Sequence, residues 1–347
     1  MAGLFGWGHR RAQPGGRIAE VARALAKDPT LPQPGELAAL VAAVRDILEG
    51  EPKSLRPRDS QGRPGGIIDL PALPTLILPD LHARPAFIAA ALAWTPPGYG
   101  STIESLLGEG RVCFVSLGDV FHSESGTAAR RWSLALREYA SDWGHHPAMD
   151  AEMGLSLSAA RILLELKLAF PLHCHYLKGN HENIADEEGG GDHSFYKFVV
   201  EGEMVASWFR LFYGDELLAS YRALEKGLPL LVLGPRFAAS HGEPGFPLSR
   251  DDLLDYRSRP DVVESLIWTG NGDAWHGSVE RSLVALMGEE RAEGARWFAG
   301  HRPVAGRYAL RAGGKFVQFH DPSAFRVVFL ESDRDPDPDR DIFDVGN

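Results

Sequence analysis

Asp80-Leu81-His82, Gly118-Asp119-Val120-Phe121-His122, Gly179-Asn180-His181-Glu182, Ser240-His241-Gly242 and Gly300-His301-Arg302 decide how this chain folds. They occur in that order, and each closes or closely follows an apolar run: Thr75–Leu78, Val112–Leu117, Cys174–Leu177, Phe237–Ala239 and Trp297–Ala299. Short apolar runs that end in polar loops read as buried strands, and open α/β sheets place their ligands at strand C-termini. The stretches carry three carboxylates (Asp80, Asp119 and Glu182), one side-chain amide and several imidazoles, with no thiolate among them. Oxygen and nitrogen donors of this kind suit first-row divalent ions. A pair of such ions about 3.5–4 Å apart clamps the attacking and leaving oxygens of a displacement at phosphorus.

Working outward, Pro85–Trp94 and Ser156–Leu168 show helical spacing, with Pro85 suited to a first turn. Leu230–Leu233 reads as a further strand, and Lys315–Phe319 with Arg326–Leu330 as a closing antiparallel pair. Upstream, residues 1–16 are rich in Gly and Arg and read as disordered, while Ile18–Ala26 and Glu36–Leu48 read as two short amphipathic helices. Glu51–Gly66 is rich in Pro, Gly, Arg and Lys and reads as a linker. The expected organisation is an N-terminal helical appendage and linker over 1–66, a main domain over 67–331 and a disordered acidic tail over 332–347.

Thirty-six basic against forty-seven acidic residues give a net charge of −11, with no long Lys/Arg run. A duplex-binding protein presents a basic face, so nucleic acid is not the expected partner. Cys113 and Cys174 lie inside apolar runs and read as reduced core residues. No apolar stretch is long enough to span a membrane, and the N-terminus lacks a signal-peptide core. A cytoplasmic location without membrane contact is the expectation.

The five motifs, taken together, resemble those of the calcineurin-like metallophosphoesterases. They are most similar to the phosphoprotein phosphatase branch, with its GDxHG, GDxVDRG, GNHE, HGG and later lone His. The resemblance runs from about Ile68 to about Leu330. It includes Gly227-Leu228-Pro229, Leu266-Ile267-Trp268 and Phe316-Val317-Gln318-Phe319 between and after the motifs. It implies a four-layer αββα sandwich holding two divalent ions, manganese first, with iron or zinc as alternatives. In that pattern Asp80 and His82 bind the first ion and Asp119 bridges both. Asn180, His241 and His301 complete the second, and His181 acts as general acid. The implied reaction is hydrolysis of a phosphomonoester, on a protein or a small metabolite, by a hydroxide bridging the ions.

The chain also departs from that branch. His122 stands where its Asp would be, and Ser123 where a phosphate-gripping Arg would be. A Gly-Asp-Xaa-Phe-His string is similar to a nuclease branch instead, in which that His assists at the phosphate. The second His of the nuclease GHxH is missing, because Pro303 follows Arg302. Glu124 and Glu182 are candidate orienters of His122 or His181, and Arg84 and Arg302, each beside a motif His, are candidate phosphate grips. Ala324 occupies the place of a rim Tyr. Residues 127–153 form a helical insertion relative to the branch, read as a lid, a specificity element or surface decoration. His145, His146, His173, His175, His193 and His276 match no motif and are taken as non-ligands. Two further readings stay open: a phosphodiesterase acting on nucleotides or nucleic acid, and a metal-binding pseudoenzyme that contacts partners through its N-terminal helices.

Overall fold

The computed structural model describes residues 14–346. Its strands are β1 (Ile67–Asp69), β2 (Thr75–Leu78), β3 (Cys113–Ser116), β4 (Cys174–Tyr176), β5 (Leu231–Leu233) and β6 (Phe237–Ser240). They continue with β7 (Arg296–Ala299), β8 (Ala309–Arg311), β9 (Phe316–Gln318), β10 (Arg326–Leu330) and β11 (Ile342–Asp344). They form a six-stranded sheet, β1-β5-β6-β7-β9-β8, and a five-stranded sheet, β11-β10-β2-β3-β4.

Strand alternation builds the layers, because successive side chains point to opposite faces. In β2, Ile77 faces the other sheet while Leu76 and Leu78 face outward to helices. In β7, Phe298 faces inward while Trp297 and Ala299 pack under the helices of the opposite side. The same two-residue rhythm runs through β3, β5, β6, β9 and β10, so one apolar layer lies between the sheets and one on each outer face. This is the expected four-layer αββα sandwich.

β2, β3 and β4 run parallel in one sheet, and β6, β7 and β9 run parallel in the other. Six loops therefore leave six strand C-termini, three from each sheet, and they meet at one rim. Cys113 and Cys174 begin β3 and β4, buried and reduced.

Several expectations are corrected. Lys315–Phe319 and Arg326–Leu330 do not pair with each other: β9 lies beside β7 and β8, whereas β10 lies between β2 and β11. The chain crosses between sheets at 319–325. The two N-terminal helices, Pro14–Lys27 and Pro34–Gly50, are built into the outer layer of the five-stranded sheet. Ile18, Ala22, Leu37, Val41 and Val44 belong to its apolar cluster, because an amphipathic stripe is stable only when something covers it. Of the N-terminal residues expected to be disordered, 1–13 lie outside the described residues.

Residues 51–66 are no loose linker. Arg56 is fully buried and pairs with Glu51 at 3.1 Å, which in turn accepts from Lys167 Nζ at 2.6 Å. Arg56 also donates to the carbonyls of Gly65 and Gly227. Nor is the acidic tail disordered. Pro338–Asp341 is helical, and β11 covers the edge of β10, with Ile342 buried between the sheets. Composition saw the charges, but Ile342 fills the core and the open strand edge supplies hydrogen-bond partners.

Removing one partner of a buried ion pair typically costs about 3–5 kcal/mol. Arg56→Met is therefore expected to lower the urea midpoint strongly, while Lys53→Met, at an exposed position on the same segment, changes it little. Urea titrations of the two variants, side by side, check this.

Candidate active site

The loops at the rim are tied to one another before any ligand chemistry begins. His82 N donates to Asp119 O at 2.6 Å, Ala83 N to Val120 O at 2.8 Å and Gly300 N to His241 O at 2.9 Å. The buried Glu182 carboxylate accepts from Asp119 N and Val120 N, both at 2.9 Å, and from Gly179 N and Tyr176 Oη, both at 2.6 Å. A Cβ on Gly300 would collide with Asp80 Oδ1, and one on Gly179 with Asp119 Oδ1. Only glycine admits these carboxylates so close to the main chain.

Two groups of donors converge and share Asp119. In the first, His82 Nε2 lies 3.8 Å from Asp80 Oδ2 and 3.7 Å from Asp119 Oδ2. In the second, Asn180 Oδ1 lies 2.9 Å from His241 Nε2 and 3.2 Å from His301 Nδ1, and His241 Nε2 is 3.5 Å from Asp119 Oδ2. The sequence-derived metal residues Asp80, His82, Asp119, Asn180, His241 and His301 are thus brought together. Two donors each about 2.1 Å from one ion stand about 3–3.8 Å apart, which is the spacing here. Asp80 Oδ2 is buried with no hydrogen-bond partner, as is His301 Nε2. His82 Nδ1 faces the carbonyl of His122 and His241 Nδ1 that of Leu117, both at 3.1 Å. These carbonyls fix the rings and leave Nε2 free to ligate. The residues present fit a pair of divalent ions.

Electrostatics agree. Burial, helped by neighbouring charge, holds His82, His181 and His241 well below the ordinary histidine range, and burial takes His301 down to about 3. Neutral imidazole is the ligating form. Burial, reinforced by Glu124 against the opposing His301 N–H, raises Asp80 to about 7. Burial, then Asp80 and Glu182, raises Asp119 well above its usual range. A divalent cation beside these two carboxylates would favour their ionised form.

His181 stands on the rim with its ring sandwiched between two others. His122 stacks on it at 4.9 Å between ring centroids and Phe195 at 4.5 Å. His122 therefore lies beside His181, but not without a carboxylate: Glu201 Oε1 is 3.2 Å from His122 Nε2. Burial alone would raise Glu201, yet His122 and the amides of Lys197 and Phe198 hold it below the usual range. Glu201 went unnoticed in the sequence because it opens a helix 79 residues downstream of His122. Of the two proposed orienters, Glu124 does reach the site, 3.5 Å from His82 Nε2 and 3.7 Å from His122 Nδ1. Glu182 does not; it braces main chain instead.

The two arginines diverge. Arg84 is buried, and its guanidinium donates to the carbonyls of Leu81, Asp80, Asp321, Pro322 and Ala324. That engagement removes it as a phosphate grip. Arg302 is exposed beside His301 and stays a candidate. A cation the sequence did not mark, Lys197, lies at the rim paired with Glu124 at 2.5 Å. The insertion, in turn, is a clamp rather than a free lid. Glu152 accepts from Ser123 N at 2.8 Å, Arg131 Nη2 donates to Ser123 Oγ at 2.6 Å and Trp132 Nε1 to Ser123 O at 3.1 Å.

One histidine was missed outright. His320 is fully buried, 3.8 Å from Asp80 Oδ2, and groups with Asp80 and His82 as donors that could hold an ion. It follows the apolar run Phe316–Phe319, the same grammar as the five motifs, and that signal could have found it. Of the six histidines set aside, none joins a donor group among the described residues.

No protein-family model and no curated protein matches the sequence. Among solved structures, the chain is similar to a protein serine/threonine phosphatase from Saccharomyces cerevisiae, described as similar to human phosphatase PP5. Identity is 14%, coverage 96% of both chains and the TM-score 0.60. A cold-active protein-tyrosine phosphatase of a psychrophile Shewanella species (14% identity, 81% of this chain and 82% of that one, TM-score 0.42) is more distant. So is a metallophosphoesterase from Sphaerobacter thermophilus (13%, 79% and 89%, 0.35), and neither carries weight for the fold. The likeness to the Saccharomyces cerevisiae phosphatase shows a shared fold, the αββα sandwich that the motifs led one to expect.

The pKa directions predict a pH dependence for the metal-free protein. A histidine depressed below about 6.5 gives stability that is present above that pH and lost on acidification. Asp80 and Asp119, raised, act in the opposite sense below about 7. Five depressed rim histidines, His82, His181, His241, His301 and His320, outnumber them. Melting temperature in chelator is expected to fall as pH drops from about 6.5 toward 4. A flat profile would mean that these rings are solvated.

Proposed function

We propose that this chain is a metal-dependent phosphoesterase that hydrolyses phosphomonoesters of a protein or a small metabolite. The observation that carries the reading is the pair of donor groups sharing Asp119, with unpartnered buried atoms, beside the rim histidine His181. Two divalent ions, manganese first, would supply Lewis-acid charge and a water of lowered pKa when held by Asp80, His82, Asp119, Asn180, His241 and His301.

The chain's own residues do the rest. His181, held neutral at rest by burial, takes up a proton when the negative charge of a bound phosphate offsets that burial and delivers it to the leaving oxygen, while its place between His122 and Phe195 keeps the ring from rotating away. Glu201 Oε1 lies 3.2 Å from Nε2 of His122, the residue that stands at the sequence position of an Asp in the phosphoprotein phosphatase branch. Lys197 offsets the negative charge of Glu124 at the entrance, and with Arg302 it favours a dianionic phosphate over a neutral ester. His122 supports a second reading, a phosphodiesterase, since it stands at the rim with Ser123 in place of an arginine.

The deciding experiment offers the Mn²⁺-loaded protein aryl phosphomonoesters, aryl phosphodiesters and phosphopeptides. Turnover of monoesters at least about tenfold faster than diesters supports the first reading, about 1.4 kcal/mol in barrier height; the reverse order selects the second.

His181→Ala is expected to keep its metal and lose about 10²–10⁴-fold in kcat on alkyl esters. On nitrophenyl esters, whose leaving group needs little protonation, the loss should shrink markedly. Equal losses on both ester classes would take His181 out of the acid role.

A further inference from the structure

His320 is the buried imidazole at the rim that no motif accounts for. It is fully buried, and neither ring nitrogen has a hydrogen-bond partner. Its Nε2 points toward Asp80 Oδ2, which is likewise buried and unpartnered, at 3.8 Å. Its ring stands 5.4 Å from that of His82, edge to face. A polar side chain is not normally buried with both nitrogens idle. His175 is also buried with both nitrogens idle but joins no donor group, whereas His320 and Asp80 Oδ2 are two idle groups facing each other beyond hydrogen-bond reach, with His82 beside them, an arrangement that suits a shared third partner.

The chain path explains why this histidine is there. The loop after β7 supplies His301 but then runs Arg302-Pro303, both exposed, and offers no second imidazole. The adjacent parallel strand β9 ends at the same rim, and Val304 N donates to His320 O at 3.0 Å, joining the two loops. From His320 the chain crosses to β10 in the opposite sheet, next to β2, whose loop carries Asp80 and His82. Arg84 locks that crossing by donating to the carbonyls of Asp321, Pro322 and Ala324 while also holding Asp80 O. One guanidinium thus fixes the Asp80 loop against the His320 loop.

We propose that His320 is a protein ligand of the Asp80–His82 ion, supplied by β9 in place of the absent second histidine after β7. The first ion then has Asp80, His82, Asp119 and His320, matching the four donors Asp119, Asn180, His241 and His301 of the second. Arg84 is the positioning residue for this arrangement. The proposal rests on the reading that the rim holds two divalent ions.

The test is metal retention, read without turnover. Wild type, His320→Ala and His320→Asn are loaded with Co²⁺, passed through a desalting column, and compared by metal analysis and visible absorption. Wild type is expected to keep two ions per chain. His320→Ala should keep one and lose the bands of the other. His320→Asn, whose amide oxygen is a poorer donor, should bind the same ion more weakly. Losing a direct ligand should cost more than the roughly 10–100-fold that ligand-orienting residues cost. Retention of one ion also reports that the variant is folded. Two tightly held ions with an unchanged spectrum in His320→Ala would overturn the proposal, as would loss of both ions in both variants, which would make His320 a fold residue. A wild type that retains no ion would overturn the metal-centre reading itself.

Discussion

The carboxylate of Glu182 is the constraint on which the rim depends. One buried side chain receives the amides of Asp119, Val120 and Gly179 and the hydroxyl of Tyr176. It thereby fixes the loop after β3 to the loop after β4, and these carry Asp119, Asn180 and His181. Hydrogen bonds to an ionised acceptor are roughly twice as strong as neutral ones, and here four of them converge where water has no access. The loop after β2 is then hung on the loop after β3 through the His82 and Ala83 amides. Half the site is built as one rigid unit before the second sheet contributes.

That rigidity is used to hold strain. His82, Ala83, Asp119, His122 and His301 all have positive φ, between 42° and 75°. Non-glycine residues in this region cost of order 1–3 kcal/mol each and persist only where their surroundings over-determine them. The turns they make are tight enough to aim neighbouring side chains at a common point rather than along the strand direction. Four other non-glycine residues with positive φ, Asp142, Trp143, Asp186 and Ala312, are scattered among the described residues, whereas these five cluster at the rim.

Around this frame the chain departs from the phosphoprotein phosphatase motif pattern that its sequence resembles. Where that pattern has an Asp, this chain has His122 with Glu201 behind it, drawn from the start of the helix Glu201–Gly227. Ser123 replaces an Arg and is gripped on three sides by Glu152, Arg131 and Trp132, all from the 127–153 insertion. The insertion thus immobilises the turn that carries His122, and Trp132 approaches the His122 ring itself, at 5.2 Å between centroids. Charge at the entrance is set by the Lys197–Glu124 pair, again from a segment outside the motifs.

By itself the sequence determined the strands and the polar loops that end them, because both are local, while the sandwich was implied by the resemblance of the motifs. Alternation within each strand and the polar residue that ends it are written in consecutive residues, so β2 and the Asp80, Asp119, Asn180, His241 and His301 turns were legible. What only the tertiary structure decided is which distant groups meet those turns. Arg84 looks like a phosphate grip beside His82, but five carbonyls, three of them more than 230 residues away, take its donors. Glu201, Lys197 and His320 carry no motif and reach the rim only through a helix start, a loop and a crossing between sheets. The acidic tail reads as disordered by composition, yet one buried isoleucine and an open strand edge are enough to order it. Partner choice of this kind depends on which surfaces the fold brings into contact, and contact between residues far apart in the chain leaves no trace in local pattern.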